Sequence, residues 1–139
     1  MKQLLKFIIP LALLVASCAP DKDNDPNSPS PNTDDRDKFA AQWHVTENSA
    51  VAGTNTHNVT ISKSTTNSTE VLISNFSGLS VSARASVNNN VLTIPYQQLG
   101  SLGSTQGSGT LTSSSNINLT YTTTISSNRD SCTATYTKQ

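Results

Sequence analysis

From Phe39 to the C-terminus, apolar side chains fall on alternate residues in short runs separated by polar breaks. This alternation constrains the fold more than any other feature. A period of two turns one face of each run to a core and the other to water, as in a half-buried strand. Phe39, Ala41, Trp43 and Val45 form the first set; Val59 and Ile61, then Val71 and Ile73, follow. Leu79, Val81, Ala83, Ala85 and Val87 form a longer one, then Leu92, Ile94 and Tyr96. Gly107, Gly109 and Leu111 give a weaker set. Ile117, Leu119, Tyr121, Thr123 and Ile125 are clear, and Cys132, Ala134 and Tyr136 close the chain.

The breaks at 48–55, 65–69, 77–78, 88–90, 100–105, 113–116 and 126–130 are rich in Gly, Asn, Asp and Ser, which favour turns. No apolar repeat of 3.6 residues occurs past residue 38. The expected fold is therefore all-β, a small antiparallel meander of about eight strands. An up-and-down β-barrel or half-open barrel buries eight one-faced strands and removes exposed edges; a β-sandwich is the alternative. Gly107 and Gly109 suit the bending of a small barrel. Of the 101 residues from Phe39 onward, 47 are Ser, Thr or Asn. Such a surface stays wet with few charges, and the alternation argues against disorder.

The N-terminal third has another character. Lys2 and Lys6 precede an apolar run, Phe7 to Ala16, and small residues lead to Cys18. The run is too short to span a bilayer and has the order of an export signal. Val15-Ala16-Ser17-Cys18 resembles the lipobox of bacterial lipoproteins. That resemblance implies a signal peptide over 1–17, cleavage before Cys18, and lipidation of its thiol. Acyl chains acting together hold a protein firmly to a membrane. Residues 18–38 then form a lipidated, Pro- and Asp-rich tether expected to be disordered, and 39–139 the all-β domain. Ala19, not Asp, follows the cysteine, which by the same resemblance directs the protein to the outer membrane. Lys22-Asp23-Asn24-Asp25 is similar to the signal that places lipoproteins of Bacteroidetes on the cell surface.

Phe39 to Val45 resembles the first strand of lipocalin-like proteins, with Ala41 where those carry glycine. The resemblance implies a barrel with Trp43 as a core plug. It also implies a cavity able to carry a small apolar molecule, unless side chains fill it.

Charge and chemistry narrow the function. Nine basic and nine acidic side chains cancel, leaving no basic field for nucleic acid. His44, His57 and Glu47 lack the spacing of a metal site, so no metal or cofactor is expected. The histidines read as exposed or satisfied. Cys132 reads as a small buried residue. Glu47, Glu70 and Asp130 show no acid–base pairing, and no enzyme activity is expected. Among the aromatics, Tyr96 after Pro95 is the candidate binding residue, at the end of an edge strand or in a loop. The functional expectation is a non-catalytic, membrane-anchored envelope lipoprotein that binds a glycan, peptide or envelope protein. The alternatives are a structural envelope lipoprotein and a carrier of a small apolar ligand in a barrel cavity.

Overall fold

The computed structural model describes residues 33–139. Cys18, the expected signal peptide and most of the expected tether lie outside them. Eight strands follow in chain order: β1 (Ala41–Ser49), β2 (Gly53–Lys63), β3 (Glu70–Ser74), β4 (Ala83–Asn88), β5 (Val91–Gln98), β6 (Gly103–Ser113), β7 (Asn116–Ile125) and β8 (Asn128–Lys138). Each pairs antiparallel with the next, and β8 returns to β1, closing the barrel. An eight-stranded barrel of this size is filled by side chains along its axis. Trp43, Val45, Ile61, Ile73, Ala85, Leu92, Ile117, Tyr121 and Tyr136 fill it here, each no more than 2% exposed. The outward residues are largely Thr, Ser and Asn, in register across strands: Thr46 opposite Thr56 and Thr135, Thr120 opposite Thr133.

Because the strands alternate in direction, the barrel has two distinct ends. The base gathers the start of β1 and the ends of β2 and β8. Phe39 is fully buried there, and Trp43 donates its Nε1–H to the Phe39 carbonyl at 2.9 Å. A 3-10 turn, Asp35–Lys38, packs beside it. Arg36 pairs with Asp34 at 2.7 Å and donates Nη1 to the carbonyls of Ser64, Asn67 and Glu70. Lys63 pairs with Asp37 at 2.5 Å. Residues 33–38, expected in the tether, are thus part of the same compact unit as the barrel. Charged residues that look like tether in the sequence find partners on the β2–β3 turn.

Two other expectations change. Leu79 and Val81 do not belong to β4. They lie half-buried in the 75–82 segment over the other end, the mouth, where Asn75, Ser77, Gly78 and Ser80 take left-handed backbone. The break expected over 48–55 shrinks to residues 50–52, because β1 runs to Ser49 and β2 begins at Gly53.

Gly107 and Gly109 have a steric role. A Cβ at Gly107 would lie 2.4 Å from the Tyr121 Cβ, and one at Gly109 would lie 2.6 Å from Leu119 Cδ1. Their bare backbone lets the large side chains of β7 cross the barrel interior.

Candidate functional site

Strand alternation carries β1 inward from Trp43 and Val45 to Glu47, and β2 from Ile61 and Val59 to His57. Two titratable side chains therefore meet inside the mouth. The Glu47 side chain is 6% exposed and that of His57 is 8% exposed. Tyr121, on β7 two strands from β1 around the barrel, donates its hydroxyl to Glu47 Oε2. Ser77 of the overlying segment donates to Glu47 Oε1 at 3.0 Å. A buried carboxylate needs such donors to offset lost hydration.

The remaining polar atoms are not satisfied. His57 Nε2 stands 4.0 Å from Glu47 Oε2, beyond hydrogen-bond reach. Both ring nitrogens of His57 and the Tyr136 hydroxyl are buried with no hydrogen-bond partner among the described residues. Burial holds His57 below the ordinary imidazole range, with the Glu47 charge opposing and His44 adding slightly. Burial also raises the hydroxyls of Tyr121 and Tyr136, helped by the Glu47 charge. The Cys132 thiol is pushed up to about 12, chiefly by burial and then by Glu47 and Asp130.

The 75–82 segment closes the mouth. Phe76 is fully buried, its ring 4.7 Å from that of Tyr121 at 51°. Gly78 lies against the His57 ring, where an added Cβ would sit 3.5 Å from it. The segment is held by the Phe76 amide on the Val81 carbonyl (2.8 Å) and by Asn75, whose side chain donates to the Asn58 carbonyl (2.8 Å).

A second feature lies on the outer wall. β5 shifts register between Ile94 and Gln97, so two successive residues, Pro95 and Tyr96, face outward. Proline cannot donate to a ladder, and a bulge accommodates it. Tyr96 is consequently 67% exposed in the middle of a closed wall. It is neither on an edge nor in a loop, as the sequence had suggested, and its parity no longer matches Ile94. The same shift turns Gln97 inward. Its Oε1 accepts from the Arg84 amide at 2.8 Å and its Nε2 donates to the Arg84 carbonyl at 2.7 Å, replacing a rung of the β4–β5 ladder. Beside Tyr96 opens a groove of about 480 Å³ lined by Pro95, Gln106, Ser108, Thr120 and Thr122.

The structure keeps the other candidates apart. Trp43 sits at the base, far along β1 from Glu47. His44 faces outward and shares a 2.9 Å hydrogen bond with Asn58. Cys132 is buried. His57 is neither exposed nor satisfied, contrary to expectation. Glu47 and His57 were legible in the sequence, since they continue the inward parity of Val45 and Val59. The Tyr121 bond to Glu47, between residues 74 apart, was not. No group of three or more His, Cys, Asp or Glu placed to hold a metal occurs among the described residues.

No protein-family model matches the chain, and no curated protein does. Solved structures do. The chain is similar to EF1p2_mFAP2b bound to DFHBI, with TM-score 0.56 and 16% identity, covering 77% of this chain and 100% of that one. It is similar to a redesigned β-barrel with TM-score 0.55 and 17% identity, over 79% and 99% of the two chains. A third, mFAP1, a redesigned β-barrel bound to DFHBI, matches with TM-score 0.54 and 17% identity over 76% and 100%. These likenesses show the fold: a small closed eight-stranded antiparallel β-barrel, lipocalin-like in shape.

Proposed function

We propose that the barrel binds a small, largely apolar molecule at its mouth, beneath the 75–82 segment, with the Glu47 cluster taking its polar group. One observation carries this reading. His57 and the Tyr136 hydroxyl offer buried, unpartnered polar atoms beside a buried carboxylate. Each such atom costs about 1–3 kcal/mol while unmade, and a ligand hydroxyl or amide would recover part of that. Phe76 fills the apolar space above Tyr121, so an incoming ring would take its place as the segment lifts. That two similar barrels are bound to DFHBI supports a ligand within this architecture.

The role is binding without catalysis. The tyrosine hydroxyls and the Cys132 thiol stay protonated at neutral pH, so none is an activated nucleophile. The resemblance of Val15-Ala16-Ser17-Cys18 to a lipobox supports attachment to the outer membrane through Cys18. Metabolic labelling with a palmitate analogue tests that attachment: label lost in Cys18→Ala supports it, and label absent from the unaltered protein overturns it.

For the mouth, the test is a panel of small aromatic alcohols and amides titrated into the labelled protein by NMR. Amide shifts at Glu47, His57 and Ser77 are expected. Phe76→Ala should tighten binding, because a dry apolar cavity accepts small aromatic molecules. No shift at these residues, in either protein and for any compound, would refute the mouth as a binding site.

A further inference from the structure

We infer that the outer wall around Tyr96 is a second, independent binding site, for a short saccharide chain carrying an acidic sugar. The inference rests on geometry outside the barrel and does not depend on the mouth. The β5 bulge presents Tyr96, 67% exposed, to solvent above β6 and β7. Two concavities meet at it. The 480 Å³ groove runs toward Ser108 and Thr120. A smaller one, about 170 Å³, shares Tyr96, Gln106 and Thr122 and continues past Thr124 to Arg129. Pairing of Gln106 with Thr122 and of Thr124 with Arg129 lines these residues up across β6, β7 and β8. Neighbouring strands lie about 4.8 Å apart, so the furrow extends for roughly three strand spacings, enough for a short oligosaccharide.

The lining selects the occupant. Its exposed side chains are one tyrosine, a proline, several hydroxyls, one amide and, at one end, a guanidinium, with no carboxylate; Ile94 and Tyr121 also border the larger groove but are themselves buried. Nucleic acid would need several cations tracking phosphates, and the furrow has one. A lipid surface would need a contiguous apolar patch, whereas the exposed apolar residues Val51, Val91 and Leu102 stand apart. A protein partner would need a desolvated centre of several anchors. A sugar ring combines a C–H face, which stacks on the electron-rich face of tyrosine, with hydroxyls that pair with short polar side chains. Arg129 adds a bidentate partner for a carboxylate.

An array of neutral and acidic oligosaccharides, probed with the barrel and its variants, tests the inference. Binding is expected among acidic members, falling at least tenfold in Tyr96→Ala and retained in Tyr96→Trp. Arg129→Gln should bring acidic and neutral forms to similar affinity. NMR shifts should map to Gln106, Thr122 and Arg129 and leave Glu47 and His57 unmoved. No binding to any array member overturns the site. So does binding that is indifferent to Tyr96→Ala or that shifts only residues of the mouth.

Discussion

At the base of the barrel, Trp43 gives its indole N–H to the Phe39 carbonyl and Arg36 gathers three carbonyls of the β2–β3 connection. At the mouth, both ring nitrogens of His57 are buried with no hydrogen-bond partner among the described residues, as is the Tyr136 hydroxyl deeper in the barrel, and the covering segment bends through four left-handed residues. Both ends close a barrel and both bury aromatic rings. They differ in polar satisfaction. A closed end whose donors all find acceptors adds stability and gains nothing from opening. A closed end with buried polar atoms that lack a hydrogen-bond partner gives up part of that stability. The contrast separates an end whose polar groups are paired from the end at which binding is proposed.

The contrast is broken most severely by Trp43→Ala. Truncating a fully buried indole costs about 3–5 kcal/mol, a large share of what a small domain has. Chemical denaturation should show the barrel largely unfolded or its midpoint sharply reduced, with no comparable loss for Tyr96→Ala. Next is Tyr121→Phe, which takes a hydrogen bond from the buried Glu47 carboxylate; bonds to charged groups are worth about 1.5–3 kcal/mol. The same measurement should show that loss.

His57 supplies a pH signature confined to the mouth. Its folded form resists protonation, so as pH falls through the ordinary imidazole range the unfolded chain takes up the proton first. Stability is full above that range and declines as pH drops below it. Denaturation midpoints between pH 7.5 and 5.5 should fall in the unaltered barrel and flatten in His57→Gln. A slope unchanged by that substitution would place the titrating group elsewhere. The smallest effect has the opposite sign. Tyr136→Phe removes a hydroxyl that has no partner, so stability should stay level or rise by up to about 1 kcal/mol. A loss above that would show that the hydroxyl is bonded after all and would weaken the distinction between the two ends.

How far the fold could be read in advance varied with the range of the interactions that make it. The inward residues of β1, β2, β7 and β8 follow parity without exception, including Glu47 and His57, which chemistry had set aside as bland. The reading went astray where parity itself breaks. At Leu79 and Val81 an alternating pair lies in a covering segment, because the chain turns left-handed at Asn75 and Ser77. At Tyr96 the bulge after Ile94 reverses which residues face the core, and Pro95 was the only local sign of it.

The sequence alone determined which residues want burial and that the domain is a meander of about eight strands, because a period of two is a property of neighbours. It also marked Trp43 and Cys132 for the core and His44 for solvent. Only the tertiary structure decided that β8 meets β1 and that Tyr121 reaches Glu47. It alone decided that His57 ends up without a hydrogen-bond partner among the described residues and that Tyr96 stands outside the wall. Those outcomes depend on closure, register and one bulge, which join residues far apart in the chain and leave little trace in the local pattern.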